Sequence, residues 1–155
     1  MKQPTNWILY LQGLTCCLYL YFLQSKNDDV LLRCIGLFNN ICSKNSECCS
    51  IIINYTEKLF ACLNHSRENL RQLAGRLLAC MAEKSDECCL RIVKADPGLT
   101  KICKFLDSKN DSERGNASLL VSKCAPLIEP GKKNLVALNI LNSNFFMLKP
   151  FLANF

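Results

Sequence analysis

The sequence predicts an all-α fold, a right-handed α-solenoid built from three-helix repeats. Three observations carry this reading. The hexapeptides KNSECC (44–49) and KSDECC (84–89) stand 40 residues apart. At that offset Leu23 falls on Leu63, Val30 on Leu70, Leu37 on Leu77, Phe38 on Leu78 and Ile41 on Met81. At an offset of 43, Leu63 falls on Leu106, Arg71 on Arg114, Ala74 on Ala117 and Leu77 on Leu120. A period of this length with helical apolar spacing marks a helical solenoid. No segment alternates with period two between turn signals, which disfavours a propeller of similar repeat length.

The opening repeat, about residues 6–43, is placed by the same offset: Trp7–Gly13 as a first helix, Leu14–Leu23 as a second and KNDDVLLRCIGLFNNICS as a third. The middle repeat, 46–83, reads as helices over about 46–54, 55–63 and 67–83. In its third helix Leu70, Leu73, Ala74, Leu77, Leu78 and Met81 form one apolar stripe at i, i+3, i+4, i+7 spacing, which neighbouring helices must cover. The next repeat, 86–126, restates the order as DECCLRIVKA, GLTKICKFL and DSERGNASLLVSKC, with the extra residues placed in a loop at Pro97-Gly98. Ser66 and Asp111 are the expected caps of the two third helices. Residues 130–155 supply about two more helices, and Phe145, Phe146, Phe151 and Phe155 lack an evident cover. Neither end reads as a polar cap, so packing on another chain or a longer array is expected. The whole of 1–155 is taken as one helical repeat domain.

The composition is globular, with 50% apolar and 21% charged residues. The net charge of +6 is uneven: residues 1–90 carry nine Lys/Arg against eight Asp/Glu, and residues 91–155 ten against five. Such an excess favours acidic partners mildly. No basic run is interleaved with aromatics, so nucleic-acid binding is not expected.

Twelve cysteines invite a search for metal or redox chemistry, but no C-x-x-C occurs and His65 is the only histidine. Structural zinc needs closely spaced ligand pairs, so neither a metal nor any other cofactor is expected. The cysteines in LLRCIGLF and RLLACMA stand where a helix wants a small apolar residue, which fits buried thiols kept reduced in the cytosol. In KNSECC and KSDECC the polar residues read as a turn, the glutamate suits a helix N-terminus, and at least one cysteine of each pair should face the stack. His65, in the LNHS turn, reads as a solvated polar residue. The sequence contains no nucleophile elbow, phosphate loop or dinucleotide loop, and no catalytic residues are assigned.

The apolar span Trp7–Leu23 is interrupted by Gln12, Gly13 and Thr15 and is short for a membrane helix. It also lacks the small-residue pattern of a cleavable signal. No membrane partner is expected and a cytoplasmic location is. Sequons at Asn54, Asn64, Asn110 and Asn116 keep a secreted or membrane-anchored helical protein as an alternative.

Three-helix units of this period, with small residues and leucines in the last helix, resemble armadillo repeats over most of the chain. Within about 30–141, the run GLFNNIC, LFACLNH, RLLACM, KICKFLDSKND, RGNASLLVSKC and ALNILN looks like the C-terminal armadillo region of the tetratricopeptide repeat protein 12 family. That resemblance implies a non-enzymatic protein-binding scaffold in cytoplasmic preassembly of axonemal dynein arms, with dynein chains or their assembly factors as partners. The tetratricopeptide part of that family has no counterpart in these residues, so a role carried by it is not transferred. An armadillo-type cargo or signalling adaptor is the alternative.

By the same resemblance, partners lie along the third helices, where an asparagine near the helix end holds an extended peptide backbone. Here that position is Asn40, followed by Cys80 and Lys123, with Gly36, Arg76 and Leu119 one turn earlier. The asparagine ladder is broken, which argues against peptide binding of the nuclear-import type. The candidate groove residues are Arg33, Asn40, Gln72, Arg76 and Lys123.

Overall fold

The computed structural model describes residues 21–143, which form eight α-helices joined by short 3-10 turns, with no strand among them. The first, α1 (Asp28–Lys44), starts at Asn27, whose Oδ1 accepts from the N–H groups of Asp29 at 2.9 Å and Val30 at 3.3 Å. Asp28 and Asp29 in its first turn and Lys44 in its last complement the helix dipole. A single extended residue, Asn45, then reverses the chain and caps α2 (Ser46–Ile52) by accepting from Glu47 N–H at 2.9 Å. A 3-10 turn (Ile53–Tyr55) leads into α3 (Thr56–Leu63), and the loop through His65 leads into α4 (Glu68–Lys84).

The same order of two short helices and one long one follows again. Ser85, extended like Asn45, separates α4 from α5 (Asp86–Ala95). The second short helix is half α and half 3-10: α6 (Thr100–Cys103) continues into a 3-10 turn, Lys104–Asp107. The long α7 (Asp111–Cys124) comes next, then a 3-10 turn (Ala125–Leu127) and α8 (Pro130–Asn142). Pro130 suits the first turn of α8 because its missing N–H would have no helical partner there.

The long helices lie side by side, α4 between α1 and α7, while α3 and α5 pack against α4 from behind and α6 packs on α7 and α8. Leu31, Ile35 and Phe38 of α1, Leu70, Leu77 and Met81 of α4, and Leu120 and Val121 of α7 belong to one continuous core. The apolar stripe expected in 67–83 is buried except for Leu73, which is half-buried. This is an all-α solenoid.

Several local expectations are corrected. The third helices are not capped by Ser66 and Asp111. Arg67 occupies the cap position of α4 with no side-chain hydrogen bond to the helix N–H groups, and Asn110 caps α7, accepting from Ser112 N–H at 2.9 Å and Glu113 N–H at 3.1 Å. Asn outranks Asp111 because it stands one residue earlier, where extended backbone aims Oδ1 at the free N–H groups. The helix expected over 98–106 begins only at Thr100, because Leu99 takes a left-handed conformation (φ 49°). The expectation that at least one cysteine of KNSECC and of KSDECC faces the stack holds, and Cys48, Cys49, Cys88 and Cys89 are all buried. The helix expected over Trp7–Gly13, all but the last three residues of the one expected over Leu14–Leu23, Cys16 and Cys17, and the phenylalanines from Phe145 onward lie outside the described residues. None of the described helices is long and apolar enough to cross a membrane.

Candidate functional site

The repeat gives each long helix the same outward register, and the candidate groove residues follow it. Arg33 and Asn40 on α1, Arg76 on α4 and Lys123 on α7 are exposed, while Gln72 is half-buried and donates its amide to Glu68 Oε1 at 3.0 Å. Arg33, Arg76 and Lys123 make no ion pair with described residues. Each long helix therefore presents on this face a cation that makes no ion pair with the described residues. Asn40, Cys80 and Lys123 occupy equivalent positions, and Cys80 is half-buried between its exposed neighbours.

Asn40 is not the asparagine that works structurally on α1. Its neighbour Asn39, 6% exposed, donates Nδ2 to the carbonyls of Ile35 and Leu73, both at 3.0 Å, and so ties α1 to α4. The signal was available: position 39 lies four residues after Ile35 and three before Cys42, inside the buried stripe. Its Oδ1 is buried without a hydrogen-bond partner, as is Nδ2 of Asn116 on α7.

One rim of this face is stitched by polar side chains at the starts of the long helices. His65 Nε2 lies 3.3 Å from Asp28 Oδ1, while its Nδ1 accepts from Arg67 N–H at 3.1 Å. His65 is therefore a half-buried bridge between repeats, which corrects its reading as a solvated turn residue. Arg67 pairs with Asp29 at 2.7 Å, and Asn110 donates to Glu68 Oε1 at 2.8 Å. The most buried contact joins Arg71 on α4 to Glu113 on α7 at 3.1 Å, with Glu113 6% exposed. Glu113 also accepts from Ser108 Oγ at 2.5 Å, which satisfies its second oxygen.

Arg71 and Arg114, which superpose at the 43-residue offset, repeat one task. Each guanidinium reaches back six residues to the loop before its own helix, Arg71 to the His65 carbonyl at 3.0 Å and Arg114 to the Ser108 carbonyl at 2.7 Å. Leu31 holds the corresponding place in α1 and cannot do this. A repeated arginine here serves loop geometry, not ligand recognition.

The small cleft beside this network, lined by Arg71, Gly75, Glu113 and Asn116 among others, has about 10 Å³, the size of one water molecule. It offers no room for an organic substrate.

The cysteines are a packing material. All ten in the described residues are thiols, and nine are buried. A hydrogen bond between Cys42 and Cys49, with burial second, holds the Cys42 thiol far above the ordinary range and lowers Cys49; Cys124 and Cys89 form the same kind of pair, with Cys124 raised and Cys89 lowered. Burial pushes Cys88 up to about 11 and Cys103 up to about 12. Thiols raised in this way are poor nucleophiles at neutral pH. No group of three or more His, Cys, Asp or Glu among the described residues is placed to hold a metal ion.

No family model matches the chain, and no curated protein matches it. Solved structures do. An engineered protein superposes with a TM-score of 0.67 at 19% identity over 81% of this chain and 51% of its own. A second engineered protein gives 0.66 at 22% identity over 78% of this chain and 29% of its own. A designed armadillo repeat protein gives 0.66 at 18% identity, covering 78% of this chain and 51% of its own. The chain thus spans about half the length of two of these proteins and under a third of the other. At these identities the likeness is one of fold, and it makes the solenoid one of armadillo type.

Proposed function

We propose that the chain is a non-enzymatic protein-interaction scaffold whose partner lies along the face formed by α1, α4 and α7. The carrying observation is the continuity of that face: three long helices in one register, each presenting a cation that makes no ion pair with the described residues (Arg33, Arg76, Lys123). Asn40 and Gln72 add polar groups between them. Opposite charge on the partner would steer encounter and fix register.

The order of sequence motifs supports a narrower reading, a cytoplasmic role in axonemal dynein-arm assembly with dynein chains or their assembly factors as partners. Thiols packed without disulfides fit a reducing compartment. The test is affinity purification from ciliated cells with the native sequence and with Arg33→Glu/Arg76→Glu/Lys123→Glu. The expected result is a captured set containing dynein chains or assembly factors that is depleted at least fivefold by the triple variant. An undiminished set would move binding off this face. A set without dynein components would favour the cargo or signalling adaptor, and a glycosidase-sensitive mobility shift at the sequons would place the chain in the secretory route.

A further inference from the structure

A second surface lies on the other side of the repeat, lined by residues of α3 and the turns on either side of it, α5 and α6. Two open clefts meet there. One of about 460 Å³ includes Phe60, Ala61, Asn64 and Lys101 in its lining; the other, about 280 Å³, includes Asn54 and Arg91; both share Glu57, Lys94 and Ala95. Sharing three lining residues makes them one groove. We infer that this groove binds an acidic segment of a partner protein, independently of the third-helix face.

Charge comes first. Arg91, Lys94 and Lys101 face Glu57 alone among carboxylates in the lining. Arg91 and Lys94, three apart on α5, are exposed and make no ion pair with described residues. The Lys101 ammonium sits 5.4 Å from the centroid of the Phe60 ring, which holds it at the groove edge. The floor between them is small, with Ala61 and Ala95 leaving space for a backbone to approach.

The neutral polar groups choose between a peptide and a nucleic acid. Asn54 and Asn64 both turn their Nδ2 donors inward, to the carbonyls of Ile51 and Phe60, each at 3.3 Å. Each amide keeps its Oδ1 acceptor and its second N–H for a ligand, a donor and acceptor side by side that match the C=O and N–H of a peptide backbone. Phe60, the only aromatic of the lining, is 3% exposed with one face covered by Lys101, so no base can stack on it. Acidic side chains for the cations and backbone N–H groups for the amide oxygens describe an acidic peptide.

The test uses the full chain and a fluorescein-labelled decaglutamate, followed by fluorescence anisotropy at about 50 and 150 mM salt, where screening of surface charge rises. Arg91→Glu/Lys94→Glu/Lys101→Glu is compared with Lys26→Glu/Lys44→Glu/Lys109→Glu, which changes net charge equally at exposed sites outside the groove. The expected result is at least a tenfold loss of affinity in the groove variant and less than threefold in the control. Equal losses would reduce the effect to net charge and overturn the groove. A matched oligonucleotide that binds more tightly than the peptide, and is lost in the groove variant, would overturn the peptide assignment. If the reversed variant does not fold by circular dichroism, Arg91→Gln/Lys94→Gln/Lys101→Gln replaces it, and unchanged affinity in that variant overturns the inference. Arg33, Asn40, Gln72, Arg76 and Lys123 are untouched throughout, so failure here leaves the scaffold reading standing.

Discussion

Asp96 joins α5 to α6 by accepting from the N–H groups of Lys101 at 2.9 Å and Ile102 at 3.2 Å, yet it is only 4% exposed. Burial raises its pKa, and the two N–H bonds oppose that rise without cancelling it. A carboxyl whose folded pKa exceeds its unfolded value holds its proton longer in the folded state. Stability from this residue is therefore present below the unfolded carboxylate range and is lost as pH climbs through the raised folded value. Asp96→Asn keeps one oxygen for the N–H pair and removes the charge. The variant's urea-denaturation stability should gain on the native chain as pH rises from the ordinary carboxylate range. Asp96→Ala should cost about 2 kcal/mol at neutral pH, because two buried donors lose their acceptor. A stability difference between Asp96→Asn and the native chain that stays flat with pH would refute the assignment. The adjacent cysteines make a contrasting point at this scale. Neighbouring helical residues stand about 100° apart, so burying Cys48 with Cys49 and Cys88 with Cys89 requires a wide covered arc, supplied where each first helix meets the end of a long one.

At the scale of elements, the α5–α6 corner turns on Leu99. Its left-handed backbone costs about 1 kcal/mol for a residue with a Cβ, and the side chain, fully buried, holds it there. Beside it, a Cβ on Gly98 would come within 2.5 Å of Leu135 Cδ2, so this corner and α8 also fit closely. Leu99→Ala should lose about 3 kcal/mol from the emptied site. Glycine at the same position relieves the strain, so Leu99→Gly should be no less stable than Leu99→Ala, the reverse of the order in a helix interior. Thermal denaturation of the two variants decides it, and Leu99→Gly melting clearly below Leu99→Ala would refute the strain. The corner shows what the sequence could not convey. Apolar periodicity revealed the long helices because every third or fourth residue in Leu70–Met81 reports the same buried face. The left turn at Leu99 leaves no such mark, since leucine is an ordinary core residue and the expected breaker, Gly98, is one place early. The caps were misread by one position for a related reason: several polar residues in SKNDS can cap, and backbone geometry alone selects Asn110. On the long helices the outward positions of Arg33, Arg76 and Lys123 were readable from the register, whereas the groove behind α4 joins residues from three helices and has no sequence pattern.

For the whole molecule, stacking makes stability local along the array. The middle helix α4 touches α1, α3, α5 and α7 and buries Leu70, Leu77, Leu78 and Met81 completely. By contrast α8 packs chiefly on α6 and leaves Leu135, Leu138 and Leu141 46%, 53% and 54% exposed. A solenoid whose repeats touch only their neighbours opens from its less supported end, because each lost helix removes one interface and leaves the rest intact. Native-state hydrogen exchange should therefore find α4 slowest and α8 much faster. Leu77→Ala, emptying a site shared by the central stack, should cost about 3 kcal/mol and accelerate exchange in α1, α4 and α7 together. Val136→Ala, at the buried face of α8, should cost about 1.5 kcal/mol and accelerate exchange in α8 while leaving α1 unchanged. If Val136→Ala speeds α1 as much as α8, the chain unfolds as one cooperative block and the nearest-neighbour picture fails. If it does not, α8 is the element whose ordering a further repeat or a partner chain would complete, since its exposed leucines are the apolar surface that another helix would bury.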